Sequence, residues 1–107
     1  MILVEFSKHK GYITLKMNGH AEANNLGHDL ICASASMLSY TLAQCVKNAN
    51  LAHKLKKAPT VQMHGGYAFI ECKPKKAHYA EIEHAFSVVG TGYALLEHNY
   101  PNNVHLV

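Results

Sequence analysis

Alternating apolar and polar residues at the start of the chain predict a β-hairpin. Apolar side chains recur at every second position of residues 2–7 and 12–17, which is the period of half-buried strands. His9, Lys10 and Gly11 separate the two runs and predict a turn. The residues that share the predicted buried faces are Ile2, Val4, Phe6, Ile13, Leu15 and Met17.

The pattern then changes to a loop followed by a helix. Residues 18–28, NGHAEANNLGH, show no period and predict a loop longer than the usual connection of about 4–6 residues. From Asp29, a good N-cap, apolar residues recur at steps of three and four and predict a helix that Pro59 closes. Its predicted apolar face consists of Ile31, Ala35, Leu38, Leu42, Cys45 or Val46, and Ala49.

The second half of the chain predicts another hairpin, a helix and a last strand. Strands around 61–63 and 67–72 flank Gly65-Gly66, a strong hairpin signal, and apolar periodicity predicts a helix over about 77–98. With a final strand at 104–107, the order is ββαββαβ in a single domain, residues 1–107. We expect an α+β fold with two helices on one face of a mostly antiparallel sheet. The other face is a candidate dimer surface, carrying Tyr12, Thr14, Tyr67 and Phe69.

The basic residues change this picture little. The chain has ten lysines, no arginine and seven acidic residues, for a net charge of +3. Arginine usually supplies bidentate readout of bases and phosphates, so its absence argues against a nucleic-acid-binding role. The lysines form two short groups, at 54, 56 and 57 and at 73, 75 and 76, and each is interpreted as solvated surface. We therefore predict no direct nucleic-acid partner.

Cysteine usage and hydropathy indicate a cytoplasmic protein without metal, cofactor or membrane span. The three cysteines cannot all pair, and their spacing matches no zinc ribbon or CxxC motif. The first residues contain an acidic group and do not resemble a signal peptide. No apolar stretch reaches the roughly 20 residues of a membrane-spanning helix.

Cys32 is the candidate nucleophile. If Asp29 caps the helix, Cys32 lies in its first turn, where free N–H groups and the helix dipole favour a thiolate. The same N–H groups could hold a developing oxyanion. The alternative is a small buried apolar residue, which is the expectation for Cys45 and Cys72.

Residues before and after Cys32 could complete a site. His20 could take the thiol proton and return it to the leaving amine, and His28 is a rival base. Asp29 could cap the helix or orient His20 as the third member of a triad does. Ser36 lies one turn after Cys32. A zinc set of His20, His28, Asp29 and Cys32 is a further alternative that their irregular spacing does not favour.

These residues form a string that resembles the ribosomal-processing cysteine protease family (Prp), small bacterial proteins. The resemblance extends over nearly the whole chain. The motifs that carry it are Gly19-His20-Ala21, Gly27-His28-Asp29, Ile31-Cys32-Ala33, Ser36, Gly65-Gly66-Tyr67 and Tyr100-Pro101.

The resemblance implies a cysteine endopeptidase that removes the N-terminal extension of the twenty-seventh large-subunit ribosomal protein, cutting after an aromatic residue. It implies a catalytic dyad of His20 and Cys32, supported by Asp29 and Ser36. It also implies a homodimer and a mobile loop, for which Gly19 and Gly27 suit the hinges. The alternatives from other classes are a non-catalytic ribosome- or RNA-associated protein and a small zinc-binding protein.

Overall fold

Two hairpins and a short C-terminal strand form a five-stranded sheet whose one face carries two helices. The computed structural model describes residues 1–20 and 25–107, and side chains in the second range are described from residue 29 onward. The elements are β1 (Ile2–His9), β2 (Tyr12–Gly19), α1 (Asn25–Leu51), β3 (Thr60–His64), β4 (Tyr67–Cys72), a 3₁₀ turn (Lys76–His78), α2 (Tyr79–Asn99) and β5 (Val104–Leu106).

The strand order is β3-β4-β2-β1-β5, with β5 parallel to β1 and every other pair antiparallel. The predicted fold class and element order are therefore confirmed. Strand β4 returns beside β2 rather than beside β1, and its pairing with β2 runs from Ile13 opposite Cys72 to Asn18 opposite Tyr67. This register brings the β3–β4 turn next to the last residues of β2.

The core lies between the sheet and the helices, and the strand alternation predicts its sheet side well. All the apolar residues predicted to face inward from β1 and β2 are buried except Phe6, which is half-buried and packs against the core. The helices contribute the opposite wall. Its buried members include Ile31, Ala35, Leu42, Val46, Ile82, Phe86, Val89 and Tyr93.

Helix α1 differs from the prediction at its start. It begins at Asn25, so the predicted start at Asp29 is wrong, and the predicted loop over residues 18–28 is wrong at residues 18–19 and 25–28. Residues 18 and 19 belong to β2, and Asp29 is the fifth residue of α1 rather than its N-cap. Cys45 is also exposed rather than part of the core, where Val46 takes the inward position.

The hydroxyl of Tyr93 joins both helices to the sheet. Tyr93 is fully buried and donates a hydrogen bond of 2.8 Å to the carbonyl of Ala35 on α1. The buried hydroxyl of Ser39 forms a hydrogen bond with the hydroxyl oxygen of Tyr93. The sulfur of Met17 on β2 lies 3.4 Å from that Tyr93 oxygen. Burial raises the pKa of Tyr93 to about 12, so this hydroxyl stays a neutral donor.

Close packing of α2 explains one of its two interior glycines. A side chain at Gly92 would begin 2.5 Å from Cδ2 of Leu38, so the glycine lets α1 approach α2 there. The element that packs closely against α2 at Gly92 is α1. At Gly90 the nearest atoms belong to Phe6 and are at ordinary contact distances of 3.6 and 3.7 Å.

The apolar surface lies mainly on the helices. Leu30, Met37, Tyr40, Val88 and Leu95 are each more than half exposed, and all belong to α1 or α2. The aromatic residues of the predicted dimer face on the sheet are half-buried instead. No helix of the described residues combines the length and apolar character that crossing a membrane requires.

Loss of the Tyr93 hydroxyl should destabilise the fold. Tyr93→Phe leaves the Ser39 hydroxyl, which is 0% exposed, with only the Met17 sulfur 3.7 Å away. Leaving a buried polar group unsatisfied costs about 1–3 kcal/mol. We expect the free energy of unfolding, measured by urea denaturation, to fall by about that amount.

The double variant Tyr93→Phe/Ser39→Ala is the matched control, because it removes both partners of the hydrogen bond. It should be more stable than Tyr93→Phe alone. Equal stability of Tyr93→Phe and the unmodified protein would contradict this account of the buried hydroxyl.

Candidate active site

His20 directly follows β2, and backbone hydrogen bonds of Gly19 and His20 hold it in position. Its carbonyl accepts a hydrogen bond of 2.6 Å from the amino group of Met1. The N–H of Gly19 donates to the carbonyl of Gly66 in the β3–β4 turn, at 2.9 Å. Gly19 has a φ of +110°, and a side chain there would collide with the carbonyl oxygen of Met1. Only glycine fits this close approach.

The imidazole of His20 lies directly against Gly66. A Cβ atom on Gly66 would be 2.5 Å from Nε2, 2.7 Å from Cε1 and 3.2 Å from Cδ2 of that ring. Gly66 has a φ of +73°, and the flanking rings of His64 and Tyr67 stack at 5.1 Å. The glycine pair was visible in the sequence as a hairpin signal, but its contact with His20 was not. That contact depends on pairing between β2 and β4, which are distant in the chain.

Cys32 lies inside α1 and not at its N-terminus. It is the eighth residue of the helix, is half-buried, and packs against the hydrophobic core. Free N–H groups occur only in the first turn of a helix. The prediction that first-turn amides activate Cys32 and hold an oxyanion is therefore wrong for this helix.

Tyr93 links β2, the strand that leads to His20, with α1, the helix that carries Cys32. The Tyr93 oxygen lies 3.4 Å from the Met17 sulfur and 2.8 Å from the Ala35 carbonyl oxygen. Met17 precedes His20 by three residues, and Ala35 follows Cys32 by three residues. One buried hydroxyl thus fixes β2 and α1 relative to each other close to both residues.

Other predicted site residues lie before and after Cys32 along α1. Asp29 is exposed one turn before Cys32, and Ser36 is half-buried one turn after it, so the three share one side of the helix. Gly27 belongs to the first turn of α1 instead of the loop end predicted for it. The backbone of His28 is helical, while the predicted loop positions 21–24 lie outside the described residues.

The other two thiols lie in different surroundings. Cys72 is buried at the end of β4, and burial raises the pKa of its thiol to about 11. It is therefore protonated at neutral pH and a poor nucleophile. Cys45 is exposed on α1, thirteen residues beyond Cys32 and so about 20 Å further along the helix.

The described residues include no cluster of metal ligands, and a groove opens away from His20 and Cys32. Across residues 1–20 and 25–107, no three His, Cys, Asp or Glu side chains gather as metal ligands would. A groove of about 850 Å³ does open between α2 and the β1 side of the sheet, where Phe6, Glu83 and Ser87 contribute to its walls. His20 and Cys32 do not line it.

A protein-family model described as "Cysteine protease Prp" matches residues 1–105 of the chain. No curated protein matches it. The family match spans both hairpins, both helices and nearly all of β5, and it therefore includes every candidate site residue.

Solved structures share the fold over the full chain. The essential ribosomal processing protease Prp from S. aureus, in complex with a substrate peptide, has a TM-score of 0.68 and 20% identity, covering 100% of this chain and 98% of that chain. The same protease with a covalently linked product peptide has a TM-score of 0.71 and 24% identity, covering 99% and 97%. SMU.848 from Streptococcus mutans has a TM-score of 0.67 and 22% identity, covering 99% and 91%.

A methyl group on Gly66 should displace the His20 imidazole. In Gly66→Ala the new Cβ would lie within 2.7 Å of two ring atoms, so the ring must move. We expect a clear change in the imidazole NMR signals of His20. For the proton-transfer role predicted for His20, we also expect a loss of peptidase activity of about tenfold or more.

Alanine substitutions at two other glycines are controls. They distinguish loss of the contact between Gly66 and His20 from a general effect of a methyl group in a turn. Gly65→Ala adds a methyl group in the same turn, with nothing within 4 Å of it. Gly11→Ala tests backbone strain, because Gly11 also has a positive φ, +86°, in the other hairpin. Both should leave the His20 signals unchanged, and a shift of these signals in either control as large as in Gly66→Ala would contradict the contact.

Burial should also separate the two remaining thiols in reactivity. At pH 8 only about one in a thousand Cys72 side chains would be a thiolate, given its pKa of about 11. Iodoacetamide should therefore alkylate the exposed Cys45 in the folded protein and leave Cys72 unmodified, as measured by peptide mass spectrometry. In urea both should react, and alkylation of Cys72 in the folded protein at the rate of Cys45 would contradict its burial.

Proposed function

The chain belongs to the cysteine protease Prp family and is a cysteine protease, and from this premise we propose that it matures a ribosomal protein. Its substrate is the precursor of the twenty-seventh large-subunit ribosomal protein, and it removes the N-terminal extension after an aromatic residue. The family match over residues 1–105 is the observation that carries this proposal.

The named relatives support the choice of a peptide substrate. The S. aureus protease is described as ribosomal-processing, and its structures hold a substrate peptide in one case and a covalently linked product peptide in the other. Their fold extends over at least 99% of this chain. A protein chain, rather than a small metabolite, is therefore the proposed substrate.

Cys32 and His20 form the proposed catalytic dyad. The Sγ atom of Cys32 attacks the scissile carbonyl carbon, and His20 takes the thiol proton and gives it to the leaving amine. Water then attacks the carbonyl carbon of the resulting thioester while His20 accepts a proton from that water. The C–S bond breaks, the new carboxyl terminus leaves, and His20 returns the proton to the Cys32 sulfur. Support comes from the fixed relation of β2 and α1 at Tyr93 and from the high pKa of Cys72, which disfavours that thiol as nucleophile.

Four further residues keep their proposed roles in modified form. Asp29 and Ser36 support the dyad from the turns before and after Cys32, and Asp29 does so as an exposed helical carboxylate rather than as a cap. Gly19 and Gly27 are the proposed hinges. Gly19 has no Cβ, so its backbone can adopt the φ and ψ values that a hinge requires. Gly27 weakens the first turn of α1 by about 1 kcal/mol relative to alanine.

The proposed setting is the bacterial cytoplasm, where ribosomes assemble. The proposed partners are the ribosomal protein precursor and a second copy of this chain, and the proposed mechanism uses no metal or cofactor. Because the chain belongs to a cysteine protease family, the alternative of a non-catalytic ribosome- or RNA-associated protein is not proposed.

Each dyad residue should be necessary for cleavage. Cys32→Ala and His20→Ala should abolish processing of the purified precursor, read by intact mass spectrometry, because one removes the nucleophile and the other the proton carrier. We expect rate losses of about 10³-fold or more. Circular dichroism and thermal unfolding should show that both variants remain folded.

The matched control is Cys45→Ala, which removes a thiol from the same helix. It should cleave at the rate of the unmodified protein. Processing of the precursor by Cys32→Ala at the normal rate would refute the dyad, and a precursor left intact by the unmodified protein would refute the proposed substrate.

A further inference from the structure

The fold places the two lysine groups of the sequence side by side. The N–H of Lys56 donates to the carbonyl of Lys73 at 2.8 Å, and the N–H of Lys75 donates to the carbonyl of Lys54 at 2.9 Å. Between these bonds, Leu55 and Pro74 form an antiparallel bridge, and both side chains are buried. The pairing of the two segments therefore brings the lysines of both groups to the same end of the sheet.

The first hairpin adds to the same surface. A Cβ atom on Gly11 would be 3.4 Å from Cε of Lys73, so the β1–β2 turn with Lys10 lies beside the paired groups. The ammonium groups of Lys57 and Lys73 lie 4.9 and 5.2 Å from the ring centroid of Tyr12. We call this surface the lysine end; it comprises Lys10, Lys54, Lys56, Lys57, Lys73, Lys75 and Lys76.

Little negative charge balances the lysine end. Residues 53–57 and 73–78 contain six lysines and no acidic residue. Of these six, Lys54 alone forms an ion pair with another described residue, Glu81. Glu71 is the other nearby acid, and it accepts a hydrogen bond of 3.0 Å from Thr14. A hydrogen bond with Tyr12 and the charge of Glu71 raise the pKa of Lys57, so the four other ammonium groups, those of Lys56, Lys73, Lys75 and Lys76, are the ones available to an anionic partner.

The charge of the whole chain is correspondingly asymmetric. Outside the two groups, four lysines are outnumbered by seven acidic residues, so the net charge of +3 originates from the paired segments. Tyr12 begins β2 and His20 directly follows its end, and the eight residues of β2 separate them by about 25 Å. A partner bound at the lysine end would leave the candidate active site open.

We propose that the lysine end binds the phosphate backbone of RNA without reading its sequence. Lysine ammonium groups contact phosphates as point charges, and such contacts are independent of sequence. The absence of arginine argues against base readout but not against this kind of binding. The sequence alone shows two separate lysine groups, each interpreted as solvated surface. Their pairing in the fold makes them one binding surface.

The choice of RNA over DNA or an acidic peptide rests on the proposed function. An enzyme that acts on a ribosomal protein meets its substrate among ribosomal RNA, and binding at the lysine end would hold it there. The protease and RNA-binding activities use opposite ends of β2, so each can fail without the other in experiment.

Fluorescence anisotropy with a labelled oligouridylate of about 20 nucleotides tests the proposal on the full chain. The expected result is binding that weakens roughly 50-fold between about 50 mM and about 200 mM salt, the behaviour of about four phosphate contacts to a single strand. Lys56→Gln/Lys75→Gln/Lys76→Gln should reduce the affinity at least about tenfold at the lower salt.

The matched control removes the same charge elsewhere, as Lys8→Gln/Lys16→Gln/Lys47→Gln. It should retain most of the affinity, and equal losses in the two triple variants would overturn the lysine end as the site. No binding at the lower salt would overturn the proposal, as would tighter binding to polyglutamate of similar length or to vesicles rich in phosphatidylserine. A DNA oligothymidylate should bind about as tightly, because both polymers present the same phosphates, and its failure to bind would contradict binding through phosphate contacts.

Peptidase assays keep this inference distinct from the proposed function. Lys56→Gln/Lys75→Gln/Lys76→Gln should cleave a short leader peptide at the normal rate, since these residues are remote from His20. Cys32→Ala should bind the oligouridylate as the unmodified protein does. Loss of RNA binding in Cys32→Ala would contradict two separate surfaces.

Discussion

The buried hydroxyl of Tyr93 is the constraint on which the arrangement of this protein depends. It touches β2 through Met17, α1 through Ala35 and Ser39, and it originates from α2. A polar group in such a place is tolerated only when its hydrogen bonds are made, so a shifted packing of the helices would leave it unsatisfied. Burial of the apolar core supplies most of the driving force for folding, but apolar contacts are not directional and would allow the helices to shift along the sheet. The Tyr93 hydroxyl selects one relative position of the sheet and the helices. The positions of β2 and α1, which lead to His20 and carry Cys32, depend on it.

The two candidate catalytic residues are supported in different ways. His20 is positioned by backbone groups, because the strand end before it is bonded to a glycine turn and to the first residue of the chain. Cys32 is positioned by side-chain packing, on a helix whose inner face is part of the core. At the opposite end of β2 the chain concentrates positive charge instead of reactive groups. His20 of the candidate active site and the lysine end thus lie at opposite ends of β2.

Local patterns predicted the elements because their causes are local. The alternation of Ile13, Leu15 and Met17 reflects a sheet with one buried face, and the sequence shows it directly. The predicted start of α1 was wrong because Asp29 has the properties of an N-cap residue, while Asn25 and Gly27 are weak helix formers. Propensity differences of this size are small, and the helix continues past them. Long-range features were beyond such patterns: the contact of His20 with Gly66 and the pairing of Lys56 with Lys73 both need the strand order first.

The β3–β4 turn has an unusual consequence for how the chain can vary. Exposed hairpin turns are normally where proteins accept inserted residues, tags or new termini. This turn is joined to the end of β2 through the Gly66 carbonyl, and its backbone forms the surface beneath an imidazole. Its length is therefore constrained from outside the hairpin. Evolution and engineering alike would have to lengthen the chain elsewhere, even though Gly65 is open to solvent.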